Sequence, residues 1–244
     1  MKKIVIAIDF SSNSINALKQ GVKLAKHLNS KVYVVHAYLA LRRADTMINV
    51  NRILKEEAET ELDNLIKSTD IPEGLSIKTK ALKGEPVNAI EKYCHKIEAD
   101  LIITGTQGEQ NDPEVFLGPV SGGLVKQTQK PILIIPNDYQ IEKIDRILFA
   151  LKSMKIKESN QLVPLKHFLK KFNADLQILQ IRTPDYDPDE KVSEKIKKLN
   201  ATFETIEAEN IYQGLTNYIT NTEFDLVCVM RRRRKFLELL FTRS

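Results

Sequence analysis

The sequence is poor in the residues that hold disulfide-bonded or metal-bound domains together. It has two cysteines and four histidines. Cys94 lies at helical spacing beside Ile90 and Ile97, and Cys228 sits inside Leu226-Val227-Cys228-Val229. Both read as buried free thiols rather than a disulfide, which implies a reducing compartment and a cytoplasmic protein. No pair of histidines and no His/Cys group has metal-ligand spacing. A Gly-x-Ser-x-Gly elbow is lacking too, and with it any visible nucleophile or base for hydrolysis. No apolar stretch approaches the ~20 residues of a membrane helix. The N-terminal run from Ile4 to Ile8 stops at Asp9, too short for the apolar region of a signal peptide, and reads as a first strand.

Net charge of one sign is also scarce. The formal charge is +5, and Arg231 to Lys235 supplies five positive charges alone, so the remaining basic and acidic residues are equal in number. No interleaved aromatics or nucleic-acid module surround that run, and nucleic acid is not an expected partner. The run has two readings. It forms an anion site at the carboxyl edge of a second sheet, or it is a solvated basic patch, which is the reading we favour.

What the chain does contain is alternation of strand and helix over 244 residues, enough for two domains. Near-continuous apolar runs at Ile4–Ile8 and Val32–Ala37 suit parallel strands covered on both faces. Ser11 or Ser12 caps a helix with Ile15, Leu18, Val22 and Ala25 on one stripe. A long helix carries Val50, Leu54, Ala58, Leu62 and Leu65 and is broken by Pro72-Glu73-Gly74. A third strand spans Leu75–Leu82, a helix follows Gly84-Glu85-Pro86, and further strands cover Leu101–Ile103 and Ile132–Ile135. After a polar linker, Asp138 to Lys143, the pattern restarts. Ile144–Leu151, Leu176–Ile181, Ala201–Ile206 and Leu226–Met230 read as strands, and Pro184 to Asp189 as the cap of a shortened helix. Phe236 to Phe241 leaves room for a partial helix but no fifth strand. The expectation is an α/β protein with two doubly wound parallel sheets, strand order 3-2-1-4-5, the second incomplete, in domains 1–137 and 144–244.

The most informative stretch runs from Asp100 to Pro136 as strand, glycine loop, helix and strand. Its glycines are Gly105, Gly108 and Gly118. Glycines let backbone N–H groups turn toward a ligand, and the start of a helix favours anions. The spacing Gly105-x2-Gly108-x9-Gly118 fits neither a Walker A loop nor a dinucleotide fingerprint. It resembles the nucleotide loop of the universal stress protein family, and the whole chain resembles a tandem member with a degenerate, short second domain. The resemblance implies ATP, with magnesium carried on its phosphates. It maps Asp9 and Ala37 to the adenine and ribose, Gly105, Gly108 and Gly118 to the phosphates, and Val120 and Ser121 to the completion of the cradle. It also implies a homodimer through the strand Ile132–Ile135 and a binding or regulatory role rather than an enzymatic one, with slow ATP hydrolysis as a third, weaker reading.

Pro119 departs from the family pattern, standing where a Ser or Thr would offer both N–H and hydroxyl. It also fits as an ordinary first residue of a helix. Asp9 reads either as a ligand contact, which the resemblance favours, or as a helix cap. His36 reads as a satisfied core histidine. Glu109, Asp112 and Glu114 put three carboxylates into a loop without lysine or arginine, which repels a triphosphate. The alternative function is therefore a scaffold of the same family that docks partners without binding nucleotide.

Overall fold

The computed structural model describes residues 1–39, 47–106, 117–156, 158–186 and 191–230. The chain divides into two compact units, Met1–Ile141 and Glu142–Ser244. In the first, strands β1 (Lys3–Ile8), β2 (Lys31–Tyr38), β3 (Ile77–Lys83), β4 (Leu101–Gly105) and β5 (Ile132–Ile135) pair in parallel in the order β3-β2-β1-β4-β5. Helices α1 (Ser12–Leu28), α2 (Met47–Ser68), α3 (Pro86–Lys96) and α4 (Pro119–Gln127) make the crossovers. Because β1 is covered on both faces, it can be apolar at every position. Val5 and Ala7 join Val35 and Ile102 in a core closed by Val87 and Ile90 of α3 and Leu124 of α4. On the other face α1 lies so close that a Cβ on Gly21 would come within 2.7 Å of the Ile6 side chain and 3.3 Å of that of Ile103.

Helix ends follow local chemistry. Ser11 is the cap of α1, accepting from the Ser14 N–H, and Asn29 closes the helix in the left-handed region at φ 54. Glu85 caps α3 through the N–H groups of Val87 and Asn88, with Pro86 as its first residue. The third strand starts at Ile77 instead of Leu75, because the Leu75 N–H turns back onto the Pro72 carbonyl at 3.1 Å and prolongs the turn. The polar linker Asp138 to Lys143 begins tied to α1: Asn16 Nδ2 donates to the carbonyls of Pro136 and Tyr139, and Gln20 Oε1 accepts from Ile141 N–H.

The second unit has strands β6 (Arg146–Leu151), β7 (Asp175–Arg182), β8 (Thr202–Glu207) and β9 (Leu226–Val229) in the order β8-β7-β6-β9, all parallel. Helices α5 (Val163–Phe172), α6 (Glu194–Lys197) and α7 (Ile211–Asn221) connect them. The cap of α6 is Ser193, which accepts from the Lys195 N–H. It is not the Pro184 to Asp189 run, part of which lies outside the described residues, as do Arg231 to Lys235 and Phe236 to Phe241. Several bonds recur at matching places. Asp100 Oδ2 accepts from the N–H groups of Lys2 and Lys3 at 2.6 and 3.0 Å, and Asp225 Oδ2 from those of Asp145 and Arg146 at 2.8 Å each. Asn173 closes α5 at φ 51 as Asn29 closes α1. The units differ in coverage. Ile102 on β4 is fully buried, whereas Val227 and Val229 on β9 are exposed, and β8 is exposed along most of its length.

The Asp100 clamp has a pH signature. Partial burial opposes ionisation of its carboxyl, but the two backbone donors outweigh that effect and hold it below the ordinary value. A lowered folded pKa means that the clamp stabilises the fold above the unfolded value of about 4 and loses its contribution as pH falls through the folded value. Asp100→Asn is therefore expected to cost up to about 1 kcal/mol at neutral pH, a modest figure because the group is partly solvent-screened. The difference from wild type should shrink in acid. Urea unfolding at a series of pH values checks it, and a difference that stays constant down to about pH 2 would contradict the clamp.

Candidate functional site

In an open parallel sheet the ligand crevice lies at the carboxyl ends of the strands, where the chain order reverses, here between β1 and β4. A cavity of about 380 Å³ occupies that place. Asp9, Ala37, Gly105, Gly118, Val120 and Ser121 all line it. Gly108 lies outside the described residues, as do Glu109, Asp112 and Glu114.

Asp9 follows β1 directly and is exposed. Its Oδ1 accepts from both the N–H and the hydroxyl of Ser11, at 3.1 and 2.5 Å. Since Ser11 is the helix cap, Asp9 does not cap α1; it is a carboxylate oriented by the cap. Phe10 between them takes φ 66, a conformation that bulky residues rarely adopt and that tends to persist where surrounding structure enforces it. Ala37 pairs with Leu82 of β3, but β1 has already ended at the pair Ile8–His36, so the backbone of β2 projects past its neighbour at the crevice.

Two side chains on the cavity wall were not legible as such. His36 is half-buried, with Nδ1 2.9 Å from the Ile8 carbonyl and its ring 4.6 Å from that of Phe10. The carbonyl can only accept, so Nδ1 carries a hydrogen and donates it, which fixes the orientation of the ring. The residue is satisfied, as its sequence context suggests, and yet it lines the site. Ser14 is buried and bridges the loop, its hydroxyl donating to the Ser11 carbonyl and accepting from the Asp9 N–H. Its spacing of three from Ser11 was the available signal.

The glycine segment has specific local roles. A Cβ on Gly105 would stand 2.9 Å from the Asn13 carbonyl oxygen and 3.0 Å from its carbon, so close approach of α1 by itself requires glycine there. The Gly118 N–H donates to the Thr106 carbonyl at 2.7 Å, clasping the two ends of the loop. Pro119 is the first residue of α4 and has no N–H. The helix has no side-chain cap, so the N–H groups of Val120 and Ser121 head it at the cavity. Ser121 is buried, its hydroxyl 2.7 Å from the Gly105 carbonyl and 2.9 Å from Thr104 Oγ1; it ties α4 to β4. Among the described residues the lining contains no lysine or arginine, and Asp9 is the carboxylate it carries. Among the described residues no cluster of His, Cys, Asp or Glu is arranged to hold a metal ion.

The matching place in the second unit is built differently. The residue after β6 is Lys152, whose Nζ pairs with both carboxylate oxygens of Asp185, and Thr183 donates to the same group. Lys152 and Thr183 together hold the Asp185 carboxyl down to about 2. The Arg182 guanidinium stacks 4.5 Å from the Tyr186 ring centre. A second hollow, about 500 Å³, lies between the end of β8 and α7, and its charged lining residues are Glu207 and Glu209. Cys94 is buried and Cys228 half-buried; both are free, and burial pushes their thiols up to about 12 and about 11. No helix among the described residues is long and apolar enough to cross a membrane.

Comparison with known proteins agrees with this geometry. The model of the universal stress protein family matches residues 1–136. A universal stress protein of Methanocaldococcus jannaschii is 31% identical over 139 residues, covering 55% of this chain and 81% of that protein. The crystal structure of a universal stress protein from Archaeoglobus fulgidus DSM 4304 matches 93% of this chain and 86% of its own, with a TM-score of 0.68 and 19% identity, a likeness of fold alone. A universal stress protein crystallised in complex with cAMP matches 56% of this chain and 98% of its own at 20% identity and a TM-score of 0.41, too distant to carry a ligand across. The family match covers the β1-to-β5 sheet and the cavity at its rim, and on that ground the chain belongs to the universal stress protein family.

Proposed function

We propose that the first unit is an adenine-nucleotide-binding module acting in a stress response, in which occupancy changes conformation or partner choice. The observation that supports it most is the cavity at the β1–β4 switch point, with the oriented Asp9 carboxylate at one side and the Val120 and Ser121 N–H groups at the other. Asp9 suits a ribose hydroxyl, the projecting backbone at Ala37 suits an adenine edge, and the start of α4 suits phosphate. ATP is the ligand the family resemblance implies, and its magnesium would arrive on the phosphates. Binding rather than turnover is the reading, since none of the described lining residues is set up as a nucleophile with its base. We further read residues 1–137 and 144–244 as two copies of one domain, the second degenerate, with the recurring aspartate clamps as its mark. The outer edge of β5 has no partner among the described residues, which favours a homodimer through that edge.

The second reading is a partner-docking scaffold without nucleotide, favoured by the spent Gly118 N–H and by Pro119. One experiment separates them. The purified chain is denatured and its small molecules identified, and nucleotide is then titrated into nucleotide-free protein. The expected result is an adenine nucleotide near one per chain, and an affinity that falls about tenfold or more in Asp9→Ala, the loss of a hydrogen bond to a charged group. An empty cavity that also ignores added nucleotide decides for the scaffold.

A further inference from the structure

The outer edges of β3 and β8 have no strand partner among the described residues, and the two strands hold the same place in their sheets. The ladders match residue by residue. Val32 beside Ile4 corresponds to Leu176 beside Ile147, and carrying that register outward sets Lys78, Lys80 and Lys83 against Thr202, Glu204 and Glu207. All of these edge residues are exposed. No acidic residue lies on β3 and no basic one on β8. Equivalent edges thus carry opposite charge. We propose that they pair between two copies of the chain, β3 of one copy extending the sheet of the other at β8.

An open edge is a template for unwanted pairing, and charged side chains along it are a common protection. Here the protection is selective. Pairing β3 with β3 would set lysine against lysine, and β8 with β8 glutamate against glutamate, whereas opposite charges across a strand pair attract. The mixed pair escapes the penalty that blocks the other two. Equivalent edges meet antiparallel when the helix layers on each face stay continuous. Lys80 and Glu204 then share a face, since Lys80 lies beside Val35 on the α3 side and Glu204 beside Leu179 on the α7 side. With Lys80 opposite Glu204, Lys78 lies diagonally from the same carboxylate. On the other face Phe203, 51% exposed, meets Ala81.

The acceptor is already oriented. The Tyr218 hydroxyl and Gln177 Nε2 donate to Glu204 Oε2 at 2.5 and 2.9 Å, and among the described residues nothing bonds to Oε1. The hollow beside α7 adds Glu207 and Glu209 at the end of the strand. On the other side, Lys78, Lys80 and Lys83 take part in no ion pair among the described residues, so no existing bond has to break.

The test is sedimentation velocity of the full chain from about 1 µM to about 1 mM, in about 0.05 M and about 0.5 M salt. Association is expected at low salt and should weaken about tenfold or more at high salt. Lys78→Glu with Lys80→Glu should abolish it, as should Glu204→Lys with Glu207→Lys in a separate chain. Mixing the two variants should restore it, because the acidic β3 of one then meets the basic β8 of the other. That restoration also shows both variants to be folded. A dimer through β5 uses none of these residues and would persist in every sample as the baseline. Association that ignores the reversals, none beyond that baseline at about 1 mM, or a loss that mixing does not restore overturns the pairing.

Discussion

Replacing Gly105 with alanine is expected to destabilise the first unit by about 1–3 kcal/mol, and valine by more, even with no ligand present. The added Cβ would meet the Asn13 carbonyl oxygen at 2.9 Å and the carbonyl carbon at 3.0 Å. These are backbone atoms in the first turns of α1, and no rotamer change can move them aside. Relief requires α1 to shift away from β4, but that helix is seated on Ile6 and Ile103 through the close approach at Gly21. The strain would also reach the site, because Asp9 and Ser11 sit where α1 begins. Native-state hydrogen exchange of the β1 and β4 amides checks this, since it reports the first unit separately from the second. Wild-type protection in Gly105→Ala would mean that the glycine serves only to admit a ligand.

That prediction shows what one sequence can and cannot say. Strand runs such as Ile4–Ile8 and Leu101–Ile103 were legible because a parallel strand buried on both faces must be apolar throughout. The doubly wound parallel sheet followed from right-handed crossovers, its order from the family resemblance, and a cap at Ser11 or Ser12 from the preference of serine for caps, Ser11 being the one observed. The spacing of Gly105, Gly108 and Gly118 drew attention to the sheet rim, where Gly105 and Gly118 line a cavity. It could not reveal which approaching group each glycine accommodates, because the Gly105–Asn13 contact joins residues far apart in sequence. Likewise nothing local announced that the Gly118 N–H would close on Thr106 or that the Ser121 hydroxyl would bond inside the protein. His36 was read as a core residue from its strand context, and that context is correct; it lines the cavity because β1 ends beside it at Ile8. The cap of α6 was misplaced because Pro and Asp near residue 185 are as good a turn signal as Ser193, and only the Lys195 N–H chooses between them.

The second large effect is expected at Leu124. Helix α4 is nine residues long, opens without a side-chain cap, and contains Gly122 and Gly123, each costing about 1 kcal/mol of helix propensity relative to alanine. Its own backbone preferences do not hold it in place. Packing does: Leu124 is fully buried in the core with Val87, Ile90 and Ile102, and a Cβ on Gly123 would come within 2.6 Å of Val87, so the helix lies tight against α3. Leu124→Ala should therefore cost about 2–5 kcal/mol. It should also weaken nucleotide binding by about tenfold or more in the fraction that remains folded, because this anchor positions the Val120 and Ser121 N–H groups. The comparison is Leu165→Ala, which removes a buried leucine from α5 of the second unit and should loosen that unit with no change in nucleotide affinity. Hydrogen exchange reads the stability of each unit, and calorimetry reads AMP binding. If Leu124→Ala lowered stability and left AMP binding intact, α4 would have no part in holding phosphate, and the ligand would have to rest on the Asp9 and Ala37 side of the cavity alone.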